Sequence, residues 1–199
     1  MRLLHVSDVH CATENLSRVL AEESYDLVVV SGDVECVETA EVLRDHAERA
    51  VAVTGNLDDV SVRRALNELG VLIDGRVKVV GGLTFAGIGG LDVRSDVSSL
   101  LKLGLSNVDV LVSHYPPRRV LDKTWAGVRI GLNEVLQASR ALRPALHLFG
   151  HVHESPGWTS YGEGTVAVNP GPLLRGRYAI IYYERGSPPR VELKALRTG

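Results

Sequence analysis

The sequence is poor in cysteine and lacks any long uncharged apolar segment. Two cysteines, Cys11 and Cys36, occur among 199 residues, too few for the disulfide framework that stabilises small secreted domains. No segment approaches the roughly 18 apolar residues of a membrane-spanning helix. The first ten residues, MRLLHVSDVH, contain too short an apolar run for a signal peptide. We therefore expect a cytoplasmic protein that does not insert into membranes.

A strong net charge and glycine-rich nucleotide-binding loops are also missing. The formal net charge is -2 and the pI is near 6.4, which argues against the broad basic surface that holds a long nucleic-acid duplex. Neither a Walker motif nor a Gly-x-Gly-x-x-Gly loop is present. The chain length and the 45% hydrophobic content predict a single domain over residues 1–199.

The chain does contain a regular alternation of strand and helix patterns. Apolar β-rich runs predict strands at 3–6, 27–30, 51–53, 77–80, 83–88, 108–112 and 146–149. Helical periodicity predicts helices at 16–20 behind a Thr13 cap, and at 37–47, 62–69 and 133–142. This order indicates a mostly parallel sheet that is buried on both faces. The β-rich runs after Gly157 predict a second, antiparallel sheet.

Five of the predicted strands are followed by side chains that can bind a metal. The segments are Ser7-Asp8-Val9-His10, Ser31-Gly32-Asp33, Thr54-Gly55-Asn56, Ser113-His114 and Gly150-His151-Val152-His153. Ligands of open α/β sheets bind at the carboxyl ends of strands, so these side chains should converge on one crevice. The glycines before Asp33, Asn56 and His151 let the backbone turn sharply. Each motif alone is explained by a turn or a hydrogen-bonded histidine, but their joint order indicates a functional site.

The two cysteines occupy matching positions in these segments. Cys11 follows Asp8 by three residues, and Cys36 follows Asp33 by three. Adjacent strands would therefore bring both cysteines near the predicted site, where they either form a disulfide or pack as two separate thiols. An intracellular disulfide is unusual outside hyperthermophiles.

The ordered set D-x-H, G-D, G-N, H and G-H-x-H resembles the calcineurin-like metallophosphoesterase superfamily, from Arg2 to about Gly171. The resemblance implies an α/β fold, a four-layer α/β/β/α sandwich of two mixed sheets, with a two-metal centre in which Asp33 bridges the ions. It implies Asp8, His10 and His153 as ligands of the first metal, and Asn56, His114 and His151 as ligands of the second. Such ligands suit Mn, Fe, Ni, Co or Zn better than Mg or Ca.

A centre of this kind hydrolyses phosphate esters. Two ions about 3.5 to 4 Å apart clamp the attacking and leaving oxygens of an in-line displacement, and we expect a metal-bound hydroxide to attack phosphorus without a protein nucleophile. Many family members carry a histidine after the G-N asparagine, where it protonates the leaving group, but here Leu57 and then Asp58 follow Asn56. Leucine donates no proton. We therefore expect small phosphodiesters as substrates, and leaving groups that need little protonation, such as those of aryl esters or strained cyclic diesters, over alkyl monoesters.

The segment 118–131, which follows His114, is the candidate substrate loop. Its candidate substrate-binding residues are Arg118, Arg119 and Arg129. Arginine binds phosphate through paired donors, and Trp125 could stack on a base or an aryl ring. The competing interpretation is a solvated surface loop with Trp125 packed inward.

Two other functions fit the same motifs. A nuclease would use the same site chemistry, and a non-catalytic metal-binding interaction scaffold would keep the same fold. Scaffolds of that kind tend to lose ligands, whereas all seven ligand positions are filled here. The sequence specifies neither the natural substrate nor the oligomeric state.

Overall fold

The computed structural model describes residues 1–197, so the last two positions of the predicted domain lie outside the described residues. The strands in this range are β1 (Arg2–Val6), β2 (Leu27–Ser31), β3 (Ala50–Val53), β4 (Val77–Val80), β5 (Leu83–Ile88), β6 (Val110–Ser113), β7 (Leu146–Leu148), β8 (Gly157–Tyr161), β9 (Thr165–Asn169), β10 (Arg177–Tyr182) and β11 (Arg190–Ala195). The α-helices are α1 (Thr13–Glu22), α2 (Val37–Glu41), α3 (Val60–Glu68), α4 (Val93–Lys102) and α5 (Asn133–Leu142), and 3₁₀ helices cover Arg44–Arg49 and Leu173–Arg175.

The strands form two mixed sheets. The first has the order β11-β10-β1-β2-β3 and the second the order β4-β5-β6-β7-β9-β8. The centre of each sheet is parallel, with Leu3 opposite Leu27 in the first and Val110 opposite Leu146 in the second. The expected separate antiparallel sheet after Gly157 is wrong. Its strands divide between the sheets, because β10 pairs with the free edge of β1 and β9 pairs with the free edge of β7.

The two sheets pack face to face, and helices cover their outer faces. The layer between the sheets is a buried apolar cluster that includes Val29 from β2 and Phe85 from β5. A second cluster joins the first sheet to α1, α2 and α3, and a third joins the second sheet to α4 and α5. Both faces of the central strands are therefore buried in each sheet, which explains their continuous apolar sequences. The four-layer α/β/β/α sandwich is confirmed.

Three local details differ from the prediction. The helix predicted over 37–47 divides into α2 and the 3₁₀ helix Arg44–Arg49. Thr13 is the first residue of α1, not its cap, and its hydroxyl lies 2.6 Å from that of Thr39. Helix α4 is absent from the prediction, although it buries Val97 and Leu100 with the right spacing for an amphipathic helix. None of the helices formed by residues 1–197 has the length and apolar character that crossing a membrane requires.

Candidate metal centre

All seven predicted ligands lie in loops at the carboxyl ends of strands. Asp8 and His10 follow β1, Asp33 follows β2, Asn56 follows β3, His114 follows β6, and His151 and His153 follow β7. The first three strands belong to one sheet and the last two to the other. The crevice therefore lies between two sheet edges, and not at the edge of a single parallel sheet as expected. Packing of the two sheets brings the loops together.

The first group of converging side chains is Asp8, His10 and His153. One ligand atom from each lies within 4.8 Å of the other two. Nε2 of His153 is 3.2 Å from Oδ1 of Asp8, and Nε2 of His10 is 3.3 Å from Nε2 of His153. These are the three residues that the family resemblance implies for the first metal.

The second group is centred on His114. Its Nε2 atom lies 2.8 Å from Oδ1 of Asn56, 3.2 Å from Nδ1 of His151 and 3.5 Å from Oδ2 of Asp33. Ligand atoms of Asp8, Asp33 and His114 also lie within 4.8 Å of one another. Asp8 thus belongs to both groups, which makes the two groups neighbours in one crevice.

The proton positions in the second group favour a bound cation. Nδ1 of His114 faces the carbonyl oxygen of Ser31 at 2.9 Å, and a carbonyl only accepts, so Nδ1 carries the proton. In the neutral ring, Nε2 then directs a lone pair at the oxygens of Asn56 and Asp33. His114 is completely buried, so acceptors that face one another here need a proton donor or a cation between them. The residues present therefore fit a divalent metal.

The pKa shifts of His151 and Asp8 agree with this assignment. Burial, together with the nearby His114, lowers the pKa of His151 to about 4, so its ring is neutral near pH 7 and offers a lone pair. Burial opposes the ionisation of Asp8, but the hydrogen bond with His153 and its other polar contacts outweigh burial and lower the pKa of Asp8. The same hydrogen bond raises the pKa of His153. Asp8 is therefore a carboxylate near pH 7, which is the form that can bind a metal.

The loops that carry the ligands have unusual backbone conformations. Asp8, His10, Asp33 and His151 all have positive φ, between 47° and 66°. Non-glycine residues adopt this region at a cost, and such residues cluster at functional sites. Gly150 is required for a different reason from the turn predicted, because a Cβ there would lie 1.8 Å from Oγ of Ser7 and 2.3 Å from Oδ2 of Asp8.

The position of the missing histidine is open to solvent. Leu57 is 56% exposed, and its backbone N–H donates to Oδ1 of Asp33 at 2.9 Å. Asp58 has no histidine to orient. Instead its carboxylate accepts the backbone N–H groups of Glu35 and Gly55, each at 2.7 Å. These two hydrogen bonds connect the loops that follow β2 and β3. Burial raises the pKa of Asp58, although the same hydrogen bonds oppose the shift.

The candidate substrate loop is solvent-exposed, and the competing interpretation of an inward-packed Trp125 is wrong because that side chain is 84% exposed. Arg118 and Arg119 are exposed. Arg129 is not free, since its guanidinium donates to the buried carboxylate of Asp122 at 2.7 Å. The loop adjoins the metal-ligand loop, because Oγ of Ser155, two residues after His153, donates to the carbonyl of residue 123 at 2.6 Å.

The structure also settles the state of the two cysteines and shows a contact that the sequence did not predict. Cys11 and Cys36 form a disulfide, with 5.2 Å between their Cα atoms.

Glu35, which precedes Cys36, places Oε1 2.8 Å from Nδ1 of His10. Glu35 and His10 are 25 residues apart in sequence, and an acidic residue after G-D-V does not belong to a recognised motif. The contact between them therefore becomes evident only from the packing of the loops.

Comparison with known proteins agrees with this arrangement. The family model of the calcineurin-like phosphoesterase superfamily domain matches residues 1–183. The uncharacterized protein MJ1162 of Methanocaldococcus jannaschii is 27% identical over 202 residues, covering 86% of this chain and 88% of that protein.

Solved structures show the same fold. The protein TT1561 of Thermus thermophilus matches with a TM-score of 0.75 and 16% identity, covering 98% of this chain and 99% of that one. A structure described as a novel archaeal phosphodiesterase matches with a TM-score of 0.61 and 15% identity, covering 98% of this chain and all of that one (100%). The family match extends over most of the chain and includes every candidate ligand, and the protein belongs to the calcineurin-like phosphoesterase superfamily.

Proposed function

We propose that this protein is a metal-dependent phosphodiesterase that hydrolyses small phosphodiesters with two divalent transition-metal ions, Mn, Fe, Ni, Co or Zn, as cofactors. The observation that carries the proposal is the convergence of carboxylate, amide and imidazole acceptors from five loops on one crevice. Superfamily membership supports hydrolysis of phosphate esters. The finer assignment to diesters rests on the chemistry of the residues around the crevice.

The ligand assignment follows the two groups of side chains. Asp8, His10 and His153 would hold the first ion, and Asn56, His114 and His151 the second, with Asp33 between them. When bound, such a pair of ions supplies Lewis acidity and lowers the pKa of coordinated water. The protein contributes buried or partly buried ligand atoms, and hydrogen bonds such as that from Nδ1 of His114 to the carbonyl of Ser31 fix their orientation.

The nearby serines do not act as nucleophiles in this proposal. The hydroxyl of Ser113 donates to the carbonyl of Tyr115 at 2.7 Å, and that of Ser7 donates to the carbonyl of Ser31 at 3.3 Å. Nε2 of His147 also lies 2.8 Å from Oγ of Ser113. However, both of these serines and His147 are completely buried, so a substrate in the crevice does not reach them. Water is therefore the nucleophile in this proposal.

Leaving-group chemistry favours esters whose leaving group needs little protonation. Leu57 occupies the position at which many family members have a proton-donating histidine. The carboxylate of Asp58 accepts hydrogen bonds from two backbone N–H groups. A leaving group that needs little protonation, such as an aryl oxide or the oxygen of a strained cyclic diester, does not depend on the missing acid. Alkyl monoesters do depend on it, so they should be poor substrates.

The candidate phosphate-binding residues divide into two types. Arg118 and Arg119 are exposed and able to pair with a non-bridging phosphate oxygen. Arg129 contributes only indirectly, because its ion pair with Asp122 holds the loop in place. The exposed ring of Trp125 offers a stacking surface for an aryl group or a base.

The test is hydrolysis of bis(p-nitrophenyl) phosphate and p-nitrophenyl phosphate by metal-stripped protein after Mn²⁺, Ni²⁺, Co²⁺, Zn²⁺ or Mg²⁺ is restored. Asp33→Asn should lose metal-dependent turnover. Asp45→Asn makes the same substitution at an exposed position and should keep that turnover. We expect the diester to turn over faster than the monoester with a transition metal. Equal rates on both esters would contradict the diester assignment.

The same assay separates the alternative functions. Turnover of single-stranded oligonucleotides well above that of the aryl diester would favour a nuclease. Absence of turnover with any metal, in protein that binds two ions, would favour the non-catalytic scaffold. The charge of -2 gives a nuclease little electrostatic attraction for a long duplex.

A further inference from the structure

We propose that Glu35 is a positioning residue that fixes the orientation and tautomer of the metal ligand His10. The inference deepens the proposed function and rests on the metal centre of that function. The two side chains are in contact, with Oε1 of Glu35 2.8 Å from Nδ1 of His10. Both are partly shielded, with 28% of the Glu35 side chain and 12% of the His10 side chain exposed.

The contact determines which nitrogen of His10 faces the metal. An ionised carboxylate only accepts hydrogen bonds, so Nδ1 of His10 donates to Glu35. In the neutral ring Nε2 then carries the lone pair, and Nε2 is the atom that faces His153 at 3.3 Å within the first ligand group. A carboxylate that accepts from the far nitrogen of a ligating histidine fixes its ring and raises its basicity.

Glu35 is itself held in an unusual conformation. Its φ is +64°, a region that non-glycine residues rarely occupy and that indicates a functional constraint. Its backbone N–H donates to Oδ1 of Asp58 at 2.7 Å, and the other oxygen of Asp58 accepts from Gly55. Asp58 is only 4% exposed. The carboxylate that supports the turn before Asn56 therefore also holds Glu35 against His10.

Two further connections align the loops of Glu35 and His10. The backbone N–H of His10 donates to the carbonyl of Asp33 at 2.8 Å. The next residue after each partner is a cysteine, and the Cys11–Cys36 disulfide joins them. His10 and Glu35 are thus adjacent to a covalent link, which restricts how far either can move. An incidental surface ion pair would have no such supports.

Metal affinity measures this role directly. We would titrate Zn²⁺ into metal-free protein in the presence of a competing chelator, for the wild type, Glu35→Ala, Glu35→Gln and Glu38→Ala. Loss of a carboxylate that orients a ligating histidine typically weakens metal binding about 10- to 100-fold, so Glu35→Ala should show this loss at one of the two sites. Glu35→Gln keeps an oxygen acceptor and should stay within a few-fold of wild type. Glu38 is an exposed glutamate in the first turn of α2, so Glu38→Ala removes the same carboxylate nearby and should not change the affinity.

A second measurement needs no variant and applies if Glu35→Ala does not fold. Long-range ¹H–¹⁵N spectra of the His10 ring in the metal-free wild type should show Nδ1 protonated and hydrogen-bonded. A proton on Nε2 instead, or Zn²⁺ affinity of Glu35→Ala equal to that of Glu38→Ala, would overturn the inference. Metal binding without ester hydrolysis would refute only the proposed function, because the role of Glu35 is read from affinity and ring protonation.

Discussion

Removal of the Cys11–Cys36 disulfide should lower the free energy of unfolding substantially. The cysteines are 25 residues apart, and the chain-entropy relation for a loop of that length gives about 3.5 kcal/mol of stabilisation through the unfolded state. For a chain of this size, that corresponds to a fall in Tm of roughly 7 to 14 °C. Cys11 is exposed and Cys36 half-buried, so Ser at both positions leaves no buried unpaired hydroxyl, and the covalent link is the main loss.

The assay is urea unfolding of oxidised wild type, reduced wild type and the Cys11→Ser/Cys36→Ser double variant. Reduced wild type and the variant should unfold at the same, lower urea concentration, and reductant should not affect the variant. Because the disulfide joins the loops of Asp8 and Asp33, Zn²⁺ affinity should fall with it. The reasoning is refuted if the double variant matches the oxidised wild type in unfolding midpoint.

Three other changes test the site and its surroundings. Leu57→His places an imidazole at the exposed crevice position, and general acid catalysis should raise turnover of an alkyl monoester by up to about 10²-fold, with no change on aryl diesters; a steady-state comparison of the two substrates decides. Gly150→Ala forces a methyl group against Asp8, so a chelator competition should show weakened Zn²⁺ binding, and overpacking should cost about 1 to 3 kcal/mol in urea unfolding; unchanged affinity would contradict the close approach. Burial raises the pKa of Asp96 from 3.8 to about 6, so the folded state binds more protons than the unfolded state between these values and stability falls as pH rises through the window. Asp96→Asn should therefore gain stability over wild type at pH 7 and lose that gain near pH 4, whereas a constant difference across pH would refute the assignment.

The local patterns predict much of the fold. Helix α5 has the predicted bounds, and the continuous apolar run in β2 is a strand buried on both faces, as expected. These predictions succeed because the spacing of apolar residues along the sequence indicates both the type of secondary structure and the faces that are buried. Helix α4 is absent from the prediction although Val93, Val97 and Leu100 have helical spacing, and their packing on the second sheet shows which face of the helix is buried.

The convergence of the candidate ligands could also be predicted from sequence, because each of them closely follows a strand and the D-x-H, G-D, G-N and G-H-x-H motifs are local. Sheet assignment is not local. The residues of Thr165–Asn169 do not indicate that this strand pairs in parallel with β7, or that β10 pairs with β1. That choice depends on which strand edges remain free after the central strands have formed, which is a property of the whole chain.

Local residue patterns are thus sufficient for the order of strands and helices, for the residues able to bind metal and for the absence of the usual acid at Leu57. Three features come from tertiary packing instead: the crevice lies between two sheets, Cys11 and Cys36 are joined, and Glu35 contacts His10. The metal-binding motifs can be recognised in the sequence because the residues of each motif lie within a few positions of one another. Contacts between loops separated by 25 residues or more depend on packing of the sheets beneath them, and that packing sets which nitrogen and which oxygen face the crevice.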